Sequence, residues 1–267
     1  MILNFLSFSC PLLLASTGAL FSEYTGTLAL FMEGFISFSG FLTFFFTVLT
    51  DSVAAGLSLG LLTGLVLVLL LAWITEKLHA NQFIAALGMN LFFSSIISCI
   101  SSFAFNTRGV LTSPAFVFDV TNIEIISIVL TAILIAAAIC VLVFTQPGIY
   151  FRITGSSADV LKVKGVNPSG YRIAAWVVSA FFAFVAGSLL TLRISSFVPN
   201  IAIGKGWMAL AAVFLGKKKP WKICLYVLLF CAGDFIAANI QNYIPAIPSS
   251  ILLSFPYIIA ILLSCTK

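Results

Sequence analysis

The sequence predicts an all-α integral membrane protein. Three observations carry this: long unbroken apolar runs, very few charges, and basic residues confined to the short stretches between runs. Hydrophobic residues make up 61% of the 267 positions and charged residues only 8%, with a mean hydropathy of +1.20. A soluble domain carries about 25% charged residues. The apolar runs are continuous over roughly 20 residues, the length of one span. They do not alternate over about ten, so helices are expected and a barrel is not. The net charge of +5 lies in the connections, which is the pattern of membrane orientation; no nucleic-acid partner is implied. Residues 1–267 read as a single transmembrane domain of about eight or nine apolar segments, some of them broken or re-entrant.

Met1 to about Phe21 is the first segment. It has no Lys or Arg through residue 22, so it lacks the basic start of a signal peptide and a retained span is expected. Ser22 to Gly34, SEYTGTLALFMEG, follows. Here Glu23 and Glu33 bracket an apolar stretch too short to cross, and Gly26 and Gly34 allow tight turns. Broken or re-entrant helices of transporters look like this. An acid at membrane depth is a functional candidate, although two glutamates at the interface fit the same residues. Gly34–Thr50 is the second span and Asp51–Ser52 a turn. Val53–Thr75 is the third, with Gly56, Gly60 and Gly64 spaced for close helix approach. Glu76, Lys77 and His79 form a polar loop in which the single histidine is expected to be solvated.

Gln82 to Thr107 is uncharged yet unusually polar. Asn90, Ser94 and Ser98 are four residues apart and share one helix face. Such a face either bonds neighbouring helices or lines a wet path. Asn106–Asn122 is a loop, Ile125 to about Phe144 the next span, and Gln146-Pro147-Gly148 a breaker.

Arg152–Arg172, RITGSSADVLKVKGVNPSGYR, is the longest polar stretch and encodes a short helix. Ser156 or Ser157 is placed to cap it, and Asp159 lies in its first turn. Lys162 and Lys164 lie in the last turn, Gly165 suits a left-handed end, and Pro168 blocks continuation. Roughly two helical turns are marginal alone in water, so the segment needs a partner surface. An ordinary basic loop and a docking surface for a soluble protein both fit.

Ile173 to about Leu192 is a span with Ala183 and Gly187 spaced for close packing, and Arg193 is placed to snorkel. Gly204–Gly216, GKGWMALAAVFLG, is a short glycine-bounded apolar segment. Lys217, Lys218, Lys219 and Lys222 then mark the cytoplasmic side. Ile223 to about Ile244 is a span interrupted by Asp234, and Ser250–Cys265 is the last. Placing 152–172 and the lysine run on one side requires 204–216 to cross as a short or broken helix.

No GxxxxGK[ST] phosphate loop, HExxH or nucleophile elbow is present. The six cysteines form no CxxC pair and read as small buried hydrophobes. No catalytic, metal or cofactor residue is expected. Glu33 and Asp234 are the one plausible intramembrane acid pair, so an ion-driven carrier is the runner-up. A non-catalytic translocation unit, driven by another subunit docked on the polar stretch, fits best.

Five stretches resemble, in order, permeases of the nucleoside class of ABC importers. FSEYTGTLALFMEGFISFSG (21–40) resembles their SERxGxLNLxxEG stretch, and HANQFIAALGMNLFFSSI (79–96) their NQxIxGLxLNL stretch. Residues 152–173 resemble their RxxGENPxAAxxAGINxxxxR loop. GKGWMALAAVFLGKKKPW (204–221) and IPSSILLSFPYIIAILL (247–263) resemble their GRGFIALAAVIFGRWxP and IPxxLLxxLPYxxxLxxL motifs. The resemblance implies a bacterial cytoplasmic-membrane permease of nucleosides, or of riboflavin or a sugar. It implies a cytoplasmic ATPase, a second permease or second copy, and an extracytoplasmic substrate-binding lipoprotein as partners. Ala158, Gly165, Asn167 and Pro168 match the loop motif; with Asp159, Lys162 and Lys164 they make the expected ATPase-coupling surface. Glu33, Asn81, Gln82 and Asn90 match polar motif positions and are the expected substrate path. Ser156-Ser157 replaces the family's Glu-Asn and Ala29 its first-stretch Asn, which bears on ligand or partner.

Overall fold

The computed structural model describes residues 2–243 together with residues 254, 258, 260 and 261. Among these the helices are α1 (Ile2–Tyr24), α2 (Met32–Thr50), α3 (Val53–Lys77), α4 (Gln82–Phe105), α5 (Val120–Phe144), α6 (Gln146–Ser156), α7 (Ala158–Val163), α8 (Pro168–Ile194), α9 (Lys205–Leu215) and α10 (Pro220–Tyr243). Seven are long and apolar enough to cross a membrane: α1 to α5, α8 and α10. The protein is therefore an all-α membrane protein. The expected last span at 250–265 lies largely outside the described residues.

Local chemistry sets the helix ends. The Asn81 carboxamide oxygen accepts from Phe83 N at 3.0 Å and starts α4. Asp119 starts α5 in the same way, and Asn167 starts α8 ahead of Pro168. Asp51 and Asn106 end α2 and α4 at φ 49° and 52°, a left-handed conformation that Asp and Asn tolerate better than most residues.

Small residues bring the central helices together. Burial reaches 78%, 72% and 61% of the spanning windows of α1, α2 and α8, against 22% in α3, α4 and α5. A Cβ on Gly18 would stand 2.9 Å from the Phe182 Cβ, and Ser179 Oγ donates to Gly18 O at 2.7 Å, so α1 and α8 touch at backbone distance. Gly187 of α8 sits as tightly on the Ile36 carbonyl of α2. The α3 glycines work as their spacing predicts: Gly56 abuts Thr47, Gly60 the Phe184 ring and Gly64 the Phe35 ring.

Two stretches interrupt the succession of long helices. Residues 25–31 link α1 to α2 without forming a helix, and 196–204 lead into the eleven-residue α9. Broken or short segments were expected at 22–34 and 204–216. Two expectations fail in detail. Gln146-Pro147-Gly148 opens α6 and does not start a loop, because Pro147 lies in the first turn, where its missing N–H costs nothing. Thr145 Oγ1 accepts from Gly148 N at 3.4 Å there. Residues 152–172 thus comprise the end of α6, all of α7 and the first turns of α8. Asp234, expected to interrupt its span, sits inside a continuous α10.

Candidate functional site

Two helix N-termini meet inside the bundle, and Glu33 joins them. It lies in the first turn of α2, and its carboxylate accepts from Gly204 N at 2.6 Å and Gly206 N at 2.7 Å, at the start of α9. A helix start presents unpaired N–H groups and the positive end of its dipole, so a carboxylate is its natural partner. Only glycine fits at 206: a Cβ there would stand 2.7 Å from Glu33 Cα. The next residue, Gly34, donates its N–H to Asn90 Oδ1 at 2.5 Å. Asn90 is eight residues into α4, so the junction lies about 12 Å above the start of that helix at 1.5 Å per residue. Glu33 and Asn90 are thereby brought into one junction.

Asn81 and Gln82 belong to a different place. Both line a cavity of about 530 Å³ at the start of α4, with Thr25, Gly26, Glu76, His79 and Arg172. Asn81 is occupied as a helix cap, and Gln82 Nε2 donates to Glu76 Oε1. Arg172 Nη1 stands 3.8 Å from Glu76 Oε2.

The basic residues gather at this same end. Lys218 Nζ pairs with Glu23 Oε1 at 3.0 Å, Tyr24 Oη donates to Lys218 O at 2.6 Å, and the Arg152 guanidinium lies 5.2 Å from the Tyr24 ring centre. Gly155 of α6 packs on the 24–26 turn so closely that a Cβ would meet Gly26 N at 2.9 Å. α7 follows α6 and packs against α6 and the start of α8. Leu161 is its buried anchor, while Val163 is 89% exposed. Asp159 and Lys162 pair at 3.0 Å in the open, an arrangement worth about 0–1 kcal/mol. Gly165 ends the helix at φ 73° and donates to Lys162 O at 2.9 Å. The expected serine cap is absent: Ser157 occupies the N-cap position, but its hydroxyl makes no cap bond, and Ser156 Oγ turns back to Ile153 O.

The polar face of α4 resolves in one direction. Ser94, Ser95 and Ser98 donate only within their own helix, to Asn90 O, Leu91 O and Ser94 O. Ser94, Ser95, Ser98 and Ser102 line an open groove of about 550 Å³ that reaches Arg108. Phe93, by contrast, is fully buried and stacks on Phe38 at 5.2 Å.

Two features escaped the sequence. Lys205, at the start of α9, interacts electrostatically with both Glu33 and Asp234 and lies 5.7 Å from the Phe8 ring. Arg193 does not simply snorkel: it pairs with buried Glu124 at 3.6 Å, and its guanidinium lies 5.7 Å from the Phe8 ring centre. Nothing local in either segment signals that pairing. Among the described residues no group of acidic, histidine or cysteine side chains could hold a metal ion.

Comparison with known proteins is consistent along the chain. The model of the family described as "Branched-chain amino acid transport system / permease component" matches residues 1–264. The chain is 28% identical over 284 residues to a nucleoside ABC transporter permease protein of Lactococcus lactis, covering 97% of this chain and 89% of that protein. It is 25% identical over 246 residues to a putative glucose ABC transporter permease protein of Haloferax volcanii, covering 86% and 74%. PsaBC from Streptococcus pneumoniae, solved in complex with a Fab, shares the fold at a TM-score of 0.55 and 13% identity, over 97% of this chain and 88% of that one.

Proposed function

Because the chain belongs to the family of branched-chain amino acid transport system permease components, we propose that it is the membrane subunit of an importer for nucleosides, driven by a separate ATPase. The ATPase docks on residues 158–168, and the basic end faces the cytoplasm of a bacterial cell, as the positive-inside rule orients it. The observation that carries the docking reading is α7. This helix is too short to be stable alone and is anchored by Leu161 alone, yet it presents Val163 at 89% exposure beside Lys162 and Lys164. An apolar side chain on a protruding basic helix is suited to a protein surface. The groove along Ser94, Ser98 and Ser102 is the substrate path on this reading. A second permease, or a second copy of this chain, covers it, and an extracytoplasmic binding lipoprotein delivers solute to it. Glu33 and Asn90 hold the broken helices beside that path, and Asn81 and Gln82 line its cytoplasmic mouth.

Nucleosides are favoured because the relative named for them matches nearly the whole chain. The relative named for glucose supports a sugar as the second reading. The test is a mild-detergent pull-down of the tagged chain with mass spectrometry, then uptake of labelled uridine and glucose by the reconstituted assembly. A stoichiometric P-loop ATPase and ATP-dependent uridine uptake are expected. A chain that purifies alone and takes up solute on an ion gradient overturns the proposal.

A further inference from the structure

We infer that Glu76, Gln82 and Arg172 form the linkage through which motion of α7 reaches α4, an inference that rests on α7 being the docking segment. The three residues come from three helices at one end of the bundle. Glu76 is in the last turn of α3, Gln82 opens α4, and Arg172 is the fifth residue of α8. One Glu76 carboxylate oxygen accepts from Gln82, and the other faces Arg172 at 3.8 Å. The Glu76 side chain is 11% exposed and that of Arg172 33%, so this is not a fully hydrated surface pair.

Stiff connections lie on either side. α7 reaches α8 through Gly165 to Asn167: Val166 N donates to Leu161 O at 2.9 Å, and Asn167 caps α8 at once. A push on α7 therefore tilts the first turns of α8, where Arg172 sits. On the receiving side α3 turns into α4 within residues 78–81. Ala80 N donates to Thr75 O at 3.0 Å, His79 takes φ 49°, and Asn81 caps α4. This short, bonded turn ties the end of α3 to the start of α4, so a displacement at Glu76 is passed to the first turn of α4.

The linkage also divides two spaces. The cavity of about 530 Å³ lies on one side. On the other is a slot of about 10 Å³ that shares Thr75, Glu76, Gln82 and Arg172 and ends on Thr27 and Trp176. Trp176 is one turn along α8 from Arg172, and its buried indole N–H has no protein partner among the described residues. Buried donors are normally satisfied. A long ion pair held by charge, with an unsatisfied donor behind it, suits a closure that opens when α8 moves and lets the cavity reach the indole.

The test uses the chain with its co-purified ATPase in proteoliposomes, measuring solute taken up per ATP hydrolysed. The solute is uridine or glucose, whichever the wild type carries. Glu76→Arg and Arg172→Glu are compared with the double exchange. Each single reversal is expected to cut uptake per ATP by about tenfold, within the range by which residues on a coupling route alter coupling, while hydrolysis continues. The double exchange is expected to regain most of it. If a reversal fails to accumulate, Glu76→Gln replaces it: this variant keeps an acceptor for Gln82 and removes only the charge, and the same drop is expected. Wild-type uptake per ATP in the assembled single variants overturns the linkage, as does an assembled double exchange that regains nothing. A wild-type chain that brings no ATPase refutes the importer reading itself, and this inference falls with it.

Discussion

Removing the Glu33 carboxylate should loosen the junction that holds α9. The carboxylate accepts two backbone N–H groups, from Gly204 at 2.6 Å and Gly206 at 2.7 Å. Hydrogen bonds to a charged group contribute about 1.5–3 kcal/mol each, and a buried donor left unpaired costs a similar amount. Glu33→Ala strands both donors, so the loss is about 3–6 kcal/mol on those figures. Glu33→Gln keeps one acceptor oxygen but turns an amide toward the second N–H, and about half the loss is expected. At about 2–4 °C per kcal/mol for a chain of roughly this size, Glu33→Ala should melt at least about 6 °C below wild type, with the glutamine variant between. The assay is thermal unfolding of the purified protein in detergent, with uptake measured in parallel. If Glu33→Ala melts with wild type, the clamp is refuted; if uptake is also lost, the carboxylate acts on the solute path instead.

Other outcomes follow from single contacts. Gly165→Pro removes the bond to Lys162 O and cannot adopt φ 73°; uptake should vanish while the protein stays in the membrane, and the Lys162→Glu, Lys164→Glu double variant should do the same. Normal transport by either refutes a coupling role for 158–168. Gly155→Val forces side-chain atoms into the 24–26 turn, and overpacking of this kind costs about 1–3 kcal/mol, to be read as a lower melting temperature. Gly187→Ala should be destabilising against the Ile36 carbonyl. Gly170→Ala, where a Cβ meets nothing within 4 Å, should leave the melting temperature near wild type or slightly above it.

The broken segments show how far local pattern reaches. Gly204 and Gly216 bound α9 in the sequence nearly where the helix runs, because glycine and the following lysines act on their own neighbourhood. Gln146-Pro147-Gly148 misled, since proline breaks a helix interior and favours a helix start, and only the Thr145 contact distinguishes the two. The four path candidates illustrate the other limit. Glu33 and Asn90 stood out as polar residues in apolar surroundings, and Asn81 and Gln82 only through the family resemblance, but neither signal tells that Glu33 and Asn90 share one junction while Asn81 and Gln82 line another cavity. The serine face of α4 was visible from its i, i+4 spacing; that its hydroxyls turn back onto their own helix was not.

By itself the sequence determined the class, the long spans among the described residues, the segments in which the basic residues collect and the short helix that the structure places at 158–163. Each depends on hydropathy, charge or backbone preference within a few residues, and these act before the chain folds. The tertiary structure alone decided that Glu33 caps a helix start 171 residues away, that Arg193 meets Glu124, and that Arg172, Glu76 and Gln82 stand together. Those pairings depend on which helices become neighbours. That choice is made by small residues such as Gly18, Gly56 and Gly187, which let backbones approach, and within one span a glycine does not reveal which helix it will meet.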